Sequence, residues 1–194
     1  MISLEQAKKL INLARDSIKA GFSSKKPKTI PGFSEVTGVF VTLSMNGNLR
    51  GCIGFPEPVY PLSRAIIEAA QSAAFKDPRF PPLSKEEFDL VTVEISILTL
   101  PKVVIVRNPE DYYQQIQVGK DGIIVRGVYS SGLLLPQVAV ENNWDVKTFI
   151  EQTCVKAGLR PNEYFDYDKC RLYKFQSLVF SEQSPNGEIV QKMG

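Results

Sequence analysis

Apolar residues recur at Leu4, Ala7, Leu10, Ile11, Ala14 and Ile18, the three-and-four spacing of a helix with one buried face. Ser3 and Gln6 stand where a capping box needs its hydroxyl and its amide, so the helix is predicted over about residues 4–20, with Gly21 as its C-cap. A polar stretch over 23–35, with Lys25, Lys26 and Lys28, reads as a solvated connection. The period then changes to two. Val39, Val41 and Leu43 share one face of a strand predicted over 36–44. Asn46-Gly47 suits a type I′ turn, because both residues tolerate positive φ. Leu49–Gly54 therefore returns antiparallel, with Leu49, Gly51 and Ile53 on one face and Arg50, Cys52 and Gly54 on the other.

Pro61 marks a second helix start, followed by a stripe of small residues at Leu62, Ala65, Ile66, Ala69, Ala70 and Ala73. Asp77–Pro82 is a rigid connection, and Ser84-Lys85-Glu86-Glu87 caps a single helical turn. Val91, Val93, Ile95 and Ile97 alternate along a long half-buried strand, and residues 103–106 are read as another. Asn108-Pro109 opens a short helix. Residues 123–126 and 133–135 flank a turn as a hairpin. Pro136 starts a helix whose i, i+4, i+7 face carries Gln137, Glu141 and Trp144. Asp145 caps the next helix, with Val146, Phe149, Ile150, Thr153, Cys154 and Ala157 on its buried face and Gly158 at its end. A last strand is predicted over 171–180, and residues 181–194 are read as a polar, mobile tail. Hairpins with inserted helices, rather than a βαβ series, give an α+β fold with largely antiparallel sheets.

A chain of 194 residues suits one large domain or two interlocked subdomains. Its net charge of +2 creates no strong field for nucleic acid or anionic lipid, so nucleic-acid binding is disfavoured. No apolar run approaches the ~18 residues of a membrane span. The N-terminal segment is acidic and amphipathic rather than a signal core, so a cytoplasmic location is expected. Three cysteines, Cys52, Cys154 and Cys170, fit reduced thiols, with a Cys154–Cys170 bridge left open for a hyperthermophile source. Histidine is absent, which excludes a Ser-His-Asp or Cys-His pair and His-ligated zinc within the chain. No metal-ligand spacing and no phosphate-binding glycine motif occurs, so no cofactor is implied.

The segment Leu49-Arg50-Gly51-Cys52-Ile53-Gly54 is similar to the signature of the AMMECR family. Asp77-Pro78-Arg79-Phe80 resembles a second motif of that family. Gly132–Ala139, Trp144, Cys154 and Lys156-Ala157-Gly158-Leu159 resemble a third. The resemblance spans about residues 4–180. It implies two intertwined subdomains of unequal size, the larger holding both termini, with a cleft between them near the signature. It also implies as partners a Memo-type protein or a radical S-adenosylmethionine enzyme, and it carries over no catalytic residue.

Cys52 is the sharpest candidate for chemistry. Arg50, two positions before it, is the cation that would favour its thiolate, and Gly51 and Gly54 would let a ligand approach. The competing reading is a small buried thiol between closely packed glycines. Arg79, Glu94, Gln137, Glu141 and Trp144 complete the candidate ligand-binding set beside Arg50, Gly51 and Cys52, with Glu141 a candidate catalytic carboxylate. The alternative for these is a solvated helix face plus a core tryptophan, with Arg79 capping a helix or pairing with Asp77. Asp166 and Asp168 are two ligands too few for a cation site and read as a solvated loop. The expected function is an accessory protein that binds a small molecule, peptide or protein in the cleft. A cysteine-dependent acyl, thioester or redox enzyme using Cys52 is the alternative, and a nucleic-acid-binding regulator the third.

Overall fold

The computed structural model describes residues 2–23, 25 and 27–193. Lys26 of the predicted lysine-bearing loop lies outside them. The chain forms two units, one of Met1–Leu98 with Leu178–Gly194, the other of Thr99–Ser177.

The first unit contains α1 (Leu4–Gly21), β1 (Val39–Met45), β2 (Asn48–Phe55), α2 (Leu62–Phe75), α3 (Lys85–Phe88) and β3 (Val91–Leu98). The second contains β4 (Lys102–Val103), α4 (Tyr112–Gln115), β5 (Gly122–Gly127), β6 (Ser131–Leu134), α5 (Pro136–Glu141), α6 (Val146–Lys156) and β7 (Cys170–Phe175). The chain then returns to the first unit as β8 (Ser177–Glu182) and β9 (Ile189–Met193). The first sheet has the order β2-β1-β3-β8-β9, the second β4-β7-β5-β6, and the pairing of β1 with β2 and β3, of β5 with β6 and β7, and of β8 with β9 is antiparallel. The fold is α+β.

The first core is built where α1 and α2 cover one face of β1, β2 and β3. The predicted inward residues Val39, Val41, Leu43, Val91, Val93 and Ile95 are fully buried there, beside Leu10, Ile11, Ala14 and Ile18 of α1. The capping box at Ser3 and Gln6 is formed. The small residues of α2 let its backbone reach the sheet: a Cβ at Gly51 would fall on the carbonyl oxygen of Ala73. Asn46 (φ 52°) and Gly47 (φ 79°) take the left-handed conformations that the tight turn requires. A separate core in the second unit gathers Phe149, Ile150, Cys154, Tyr164, Cys170 and Leu172 around β5.

Several sequence expectations are corrected. Gly21 is the last residue of α1, with Phe22 as the C-cap, and its missing side chain makes room for the Phe75 ring. The strand foreseen over 171–180 is two strands in different sheets. It breaks at Gln176, whose backbone N–H and C=O turn to the Thr99 hydroxyl (2.8 Å) and backbone N–H (2.8 Å). Residues 103–106 hold only the end of the short β4. The predicted tail is a hairpin: Ser184–Gly187 is its turn, with Asn186 at φ 57°, and Ile189–Met193 pairs with β8. Trp144 leaves the helical face of Gln137 and Glu141, because α5 ends in a Schellman turn. Asn143 sits at φ 53°, and Trp144 N–H bonds Ala139 O at 2.8 Å. That turn directs the indole onto the second core.

Candidate functional site

β2 is an edge strand, so at alternate residues its backbone N–H and C=O point away from β1. At Cys52 both groups are met by side chains from the connection after α2. Cys52 N–H donates to Asp77 Oδ2 at 2.9 Å, and Arg79 Nη2 donates to Cys52 O at 3.0 Å. Asp77 and Arg79 are themselves paired, through Nη2 to Oδ2 (2.7 Å), Nε to Oδ1 (2.9 Å) and Arg79 N–H to Oδ1 (3.1 Å). The carboxylate–guanidinium pair thus takes the place of a neighbouring strand for one residue. Asp77 is only 4% exposed, yet it accepts four hydrogen bonds. The Arg79 guanidinium, joined by the backbone N–H groups of Cys52 and Arg79, holds its carboxyl well below the usual range. Arg79 is raised in turn, first by Asp77, with Cys52 contributing.

A second pair lies alongside. The register of β1 with β2 shifts between Leu43 and Ser44, so that Leu43 faces Gly51 while Ser44 faces Leu49. Arg50 is the extra residue of this β-bulge. It is 8% exposed, and its guanidinium forks onto Glu87, Nε to Oε1 and Nη2 to Oε2, both at 2.9 Å. Glu87 also accepts Ser84 N–H as part of the α3 capping box. Arg50, and then the Ser84 N–H, lower its carboxyl. The Phe80 ring lies under both guanidiniums, 5.9 Å from Arg50 and 5.6 Å from Arg79. Arg50 is thus held by Glu87, and the cation at Cys52 is Arg79. This revises the expectation drawn from strict strand alternation.

The Cys52 side chain is half-buried. Its sulfur accepts a hydrogen bond from Thr42 Oγ1 at 3.3 Å, across the register pair Thr42–Cys52. Thr42 pairs on its other side with Glu94, so thiol, hydroxyl and carboxylate stand in one row across β2, β1 and β3. Glu94 holds Lys192 of β9 at 2.8 Å. The row is polar and half-buried, and it alternates with the residues buried under α1 and α2. Gly51 belongs to the helix-facing side, where Ala73 O closes the space, so its glycine serves close packing rather than ligand approach.

In the second unit, Gln137 is half-buried near the start of α5, and its Oε1 is buried with no hydrogen-bond donor among the described residues. Glu141 is exposed at the helix end. Asp166 is engaged by Lys169 at 2.6 Å. No group of three or more His, Cys, Asp or Glu among the described residues could hold a metal ion.

The sequence reading missed Glu87, Thr42 and Phe80, and held Asp77 only as the alternative partner of Arg79, a pairing that is formed. Asp77 and Phe80 lie in the Asp77–Phe80 motif, whose charged i, i+2 pair after a helix was the available signal. Glu87 was seen only as a cap, and Thr42 carried no signal beyond its place opposite Cys52.

The model of the AMMECR1 family matches residues 11–180. The chain belongs to the AMMECR1 family. A protein of Methanothermobacter thermautotrophicus is 47% identical over 186 residues, covering 93% of this chain and 96% of its own. Protein MJ0810 of Methanocaldococcus jannaschii is 42% identical over 197 residues, covering 99% and 98%. The crystal structure of the uncharacterized protein PH0010 from Pyrococcus horikoshii is similar with a TM-score of 0.92 at 43% identity, over 100% of this chain and 99% of that one. Two of the three motifs on which the family resemblance rested, Leu49–Gly54 and Asp77–Phe80, are the segments that Asp77, Arg79 and Cys52 bond together. No helix among the described residues is long and apolar enough to cross a membrane.

Proposed function

We propose that this chain is an accessory protein that binds a small molecule, peptide or protein ligand in a cleft beside the Leu49–Gly54 segment, without turning it over. The observation that carries a binding reading is the half-buried row of Cys52, Thr42 and Glu94 in the first unit, with Arg79 at its edge, which offers polar groups of both signs beside that segment. Separately, in the second unit, the buried Gln137 Oε1 is an acceptor without a donor among the described residues. A buried acceptor left unmatched costs about 1–3 kcal/mol, and native proteins keep few of them without a use. A ligand N–H or O–H is the partner it lacks.

The alternative is a cysteine enzyme at Cys52. The absence of histidine and the engagement of Glu94 by Lys192 count against it, since neither offers a free base for the thiol. Nucleic-acid binding is the third reading, and a net charge of +2 gives it little drive. The partners inferred on family grounds are a Memo-type protein or a radical S-adenosylmethionine enzyme.

The test is a screen of free amino acids, nucleotides and short peptides, read through the backbone amide signals of Thr42, Cys52, Glu94 and Gln137. Saturable shifts of Thr42, Cys52 and Glu94 that persist in Cys52→Ser and disappear in Glu94→Gln support binding. A covalent adduct on Cys52, with turnover abolished by Cys52→Ser, replaces the reading with the enzyme.

A further inference from the structure

We infer that the second unit carries a binding site for a phosphoryl group, free or in a small monoester, between Arg126 of β5 and Arg171 of β7. The two arginines are directly opposite in the antiparallel pairing of these strands, so their side chains leave the same face of the sheet. Cys170 and Leu172, the neighbours of Arg171, are buried in the second core, so the arginines stand on the other face. Like charges set opposite each other oppose strand pairing, and an anion held between them removes that cost. Tyr173 follows on the arginine face of β7. Its ring carries the Arg126 guanidinium at 4.5 Å from the centroid and so fixes its position.

A cavity of about 190 Å³ opens at this place. Its lining includes both arginines, Tyr173, Val128 of the β5–β6 turn, and Asp168 and Lys169 of the loop before β7. Asp166 pins that loop. Its carboxylate accepts Asp168 N–H (3.2 Å) and Lys169 Nζ (2.6 Å), and its carbonyl accepts Lys169 N–H (3.1 Å) and Cys170 N–H (2.9 Å). Lys169 therefore has its counter-charge already. The exposed Arg171 guanidinium has no hydrogen bond or ion pair among the described residues.

The class of ligand follows from the donors. A guanidinium presents a planar fork of N–H groups that matches two oxygens of an oxyanion. One fork satisfies a carboxylate. Two forks and two positive charges suit a tetrahedral oxyanion that carries more than one negative charge. Pockets for drug-sized ligands run to roughly 300–1,000 Å³. This smaller cavity admits a phosphoryl group and the few atoms beside it. The Asp168 carboxylate opposes such an anion, so the two arginines supply the attraction and Asp168 limits it. The Cys52 row belongs to the first unit, so the failure of either reading leaves the other standing.

The experiment titrates the full chain with inorganic phosphate and, in a second arm, with phenyl phosphate, at an ionic strength held constant with chloride. Binding is read through the backbone amide signals of Gly127, Lys169 and Arg171. The expected result is a saturable shift at these residues that acetate at the same ionic strength does not produce. Tighter binding of phenyl phosphate identifies the ligand as an ester, and equal or weaker binding identifies it as free phosphate. Arg171→Ala should weaken the affinity about tenfold or more, as the loss of charge-assisted hydrogen bonds requires. Asp168→Asn should tighten it about two- to fivefold, the scale of an exposed charge pair. Should the alanine variant not fold, Arg171→Gln keeps the stem without the charge and takes its place. Three results overturn the proposal: shifts that do not saturate, equal shifts with acetate, or an affinity that the loss of the Arg171 charge leaves unchanged.

Discussion

Replacing Asp77 by asparagine keeps the shape of the side chain and removes its charge. Four donors converge on the carboxylate: Cys52 N–H, Arg79 N–H, and Arg79 Nε and Nη2. The amide offers one oxygen and turns an NH₂ toward groups that can only donate, so about half of these bonds fail. Bonds to a charged acceptor contribute about 1.5–3 kcal/mol each. The Arg79 side chain is 52% exposed, and water compensates it for part of the loss, whereas the Asp77 side chain at 1% has no such recourse. The expected cost is about 3 kcal/mol, a fall in Tm of about 6–12 °C for a chain of this size. The first unit must be read directly, because Trp144 reports the second. Amide hydrogen exchange of the 49–55 peptide, together with urea unfolding followed by far-UV circular dichroism, does this. The carboxyl of Asp77 titrates below its unfolded value of ~3.9, so its stabilisation is complete above that pH and is lost as pH falls toward the folded value. The gap between wild type and Asp77→Asn should be flat from pH 6 to 8 and close below about pH 4. A loss under ~0.5 kcal/mol at pH 7, or a gap that does not narrow in acid, refutes the edge-capping account.

Other outcomes follow from the same packing. Gly51→Ala sets a methyl on Ala73 O of α2 and should cost about 1–3 kcal/mol by urea unfolding; a neutral result would mean the helix moves away freely. Glu182→Leu leaves Arg15, 7% exposed and bonded to Glu182 through Nε and Nη2 at 2.6 Å, without its counter-charge, and should lower stability by about 3–5 kcal/mol in the same assay. Iodoacetamide with peptide mass spectrometry should label half-buried Cys52 in the native protein before the buried Cys154 and Cys170, and equal rates would contradict the burial described.

Local chemistry made much of this protein legible from its residues alone. The capping box of Ser3 and Gln6, the positive-φ turn at Asn46-Gly47, the alternation along Val91–Leu98 and the Asp145 cap depend on neighbours a few positions away, and each formed where the pattern placed it. The α+β class followed from those elements. Where a long-range partner decides, the pattern was silent or misleading. No proline or glycine interrupts Arg171–Phe180, yet the strand changes sheets at Gln176, because Phe175 pairs with Gly122 whereas Val179 pairs with Met193. Periodicity carried Trp144 onto the face of Gln137, but a left-handed Asn143 ended the helix first. Strict alternation also set Arg50 beside Cys52. A bulge opposite Leu43 and Ser44, and a glutamate 37 positions away, gave that guanidinium to Glu87 and left Arg79 to meet Cys52. Residue types and spacings determine which helices and strands form, since those interactions close within a turn or a hairpin. Which charge meets which partner across a sheet edge is decided only when distant segments pack, and the candidate site depends on that step.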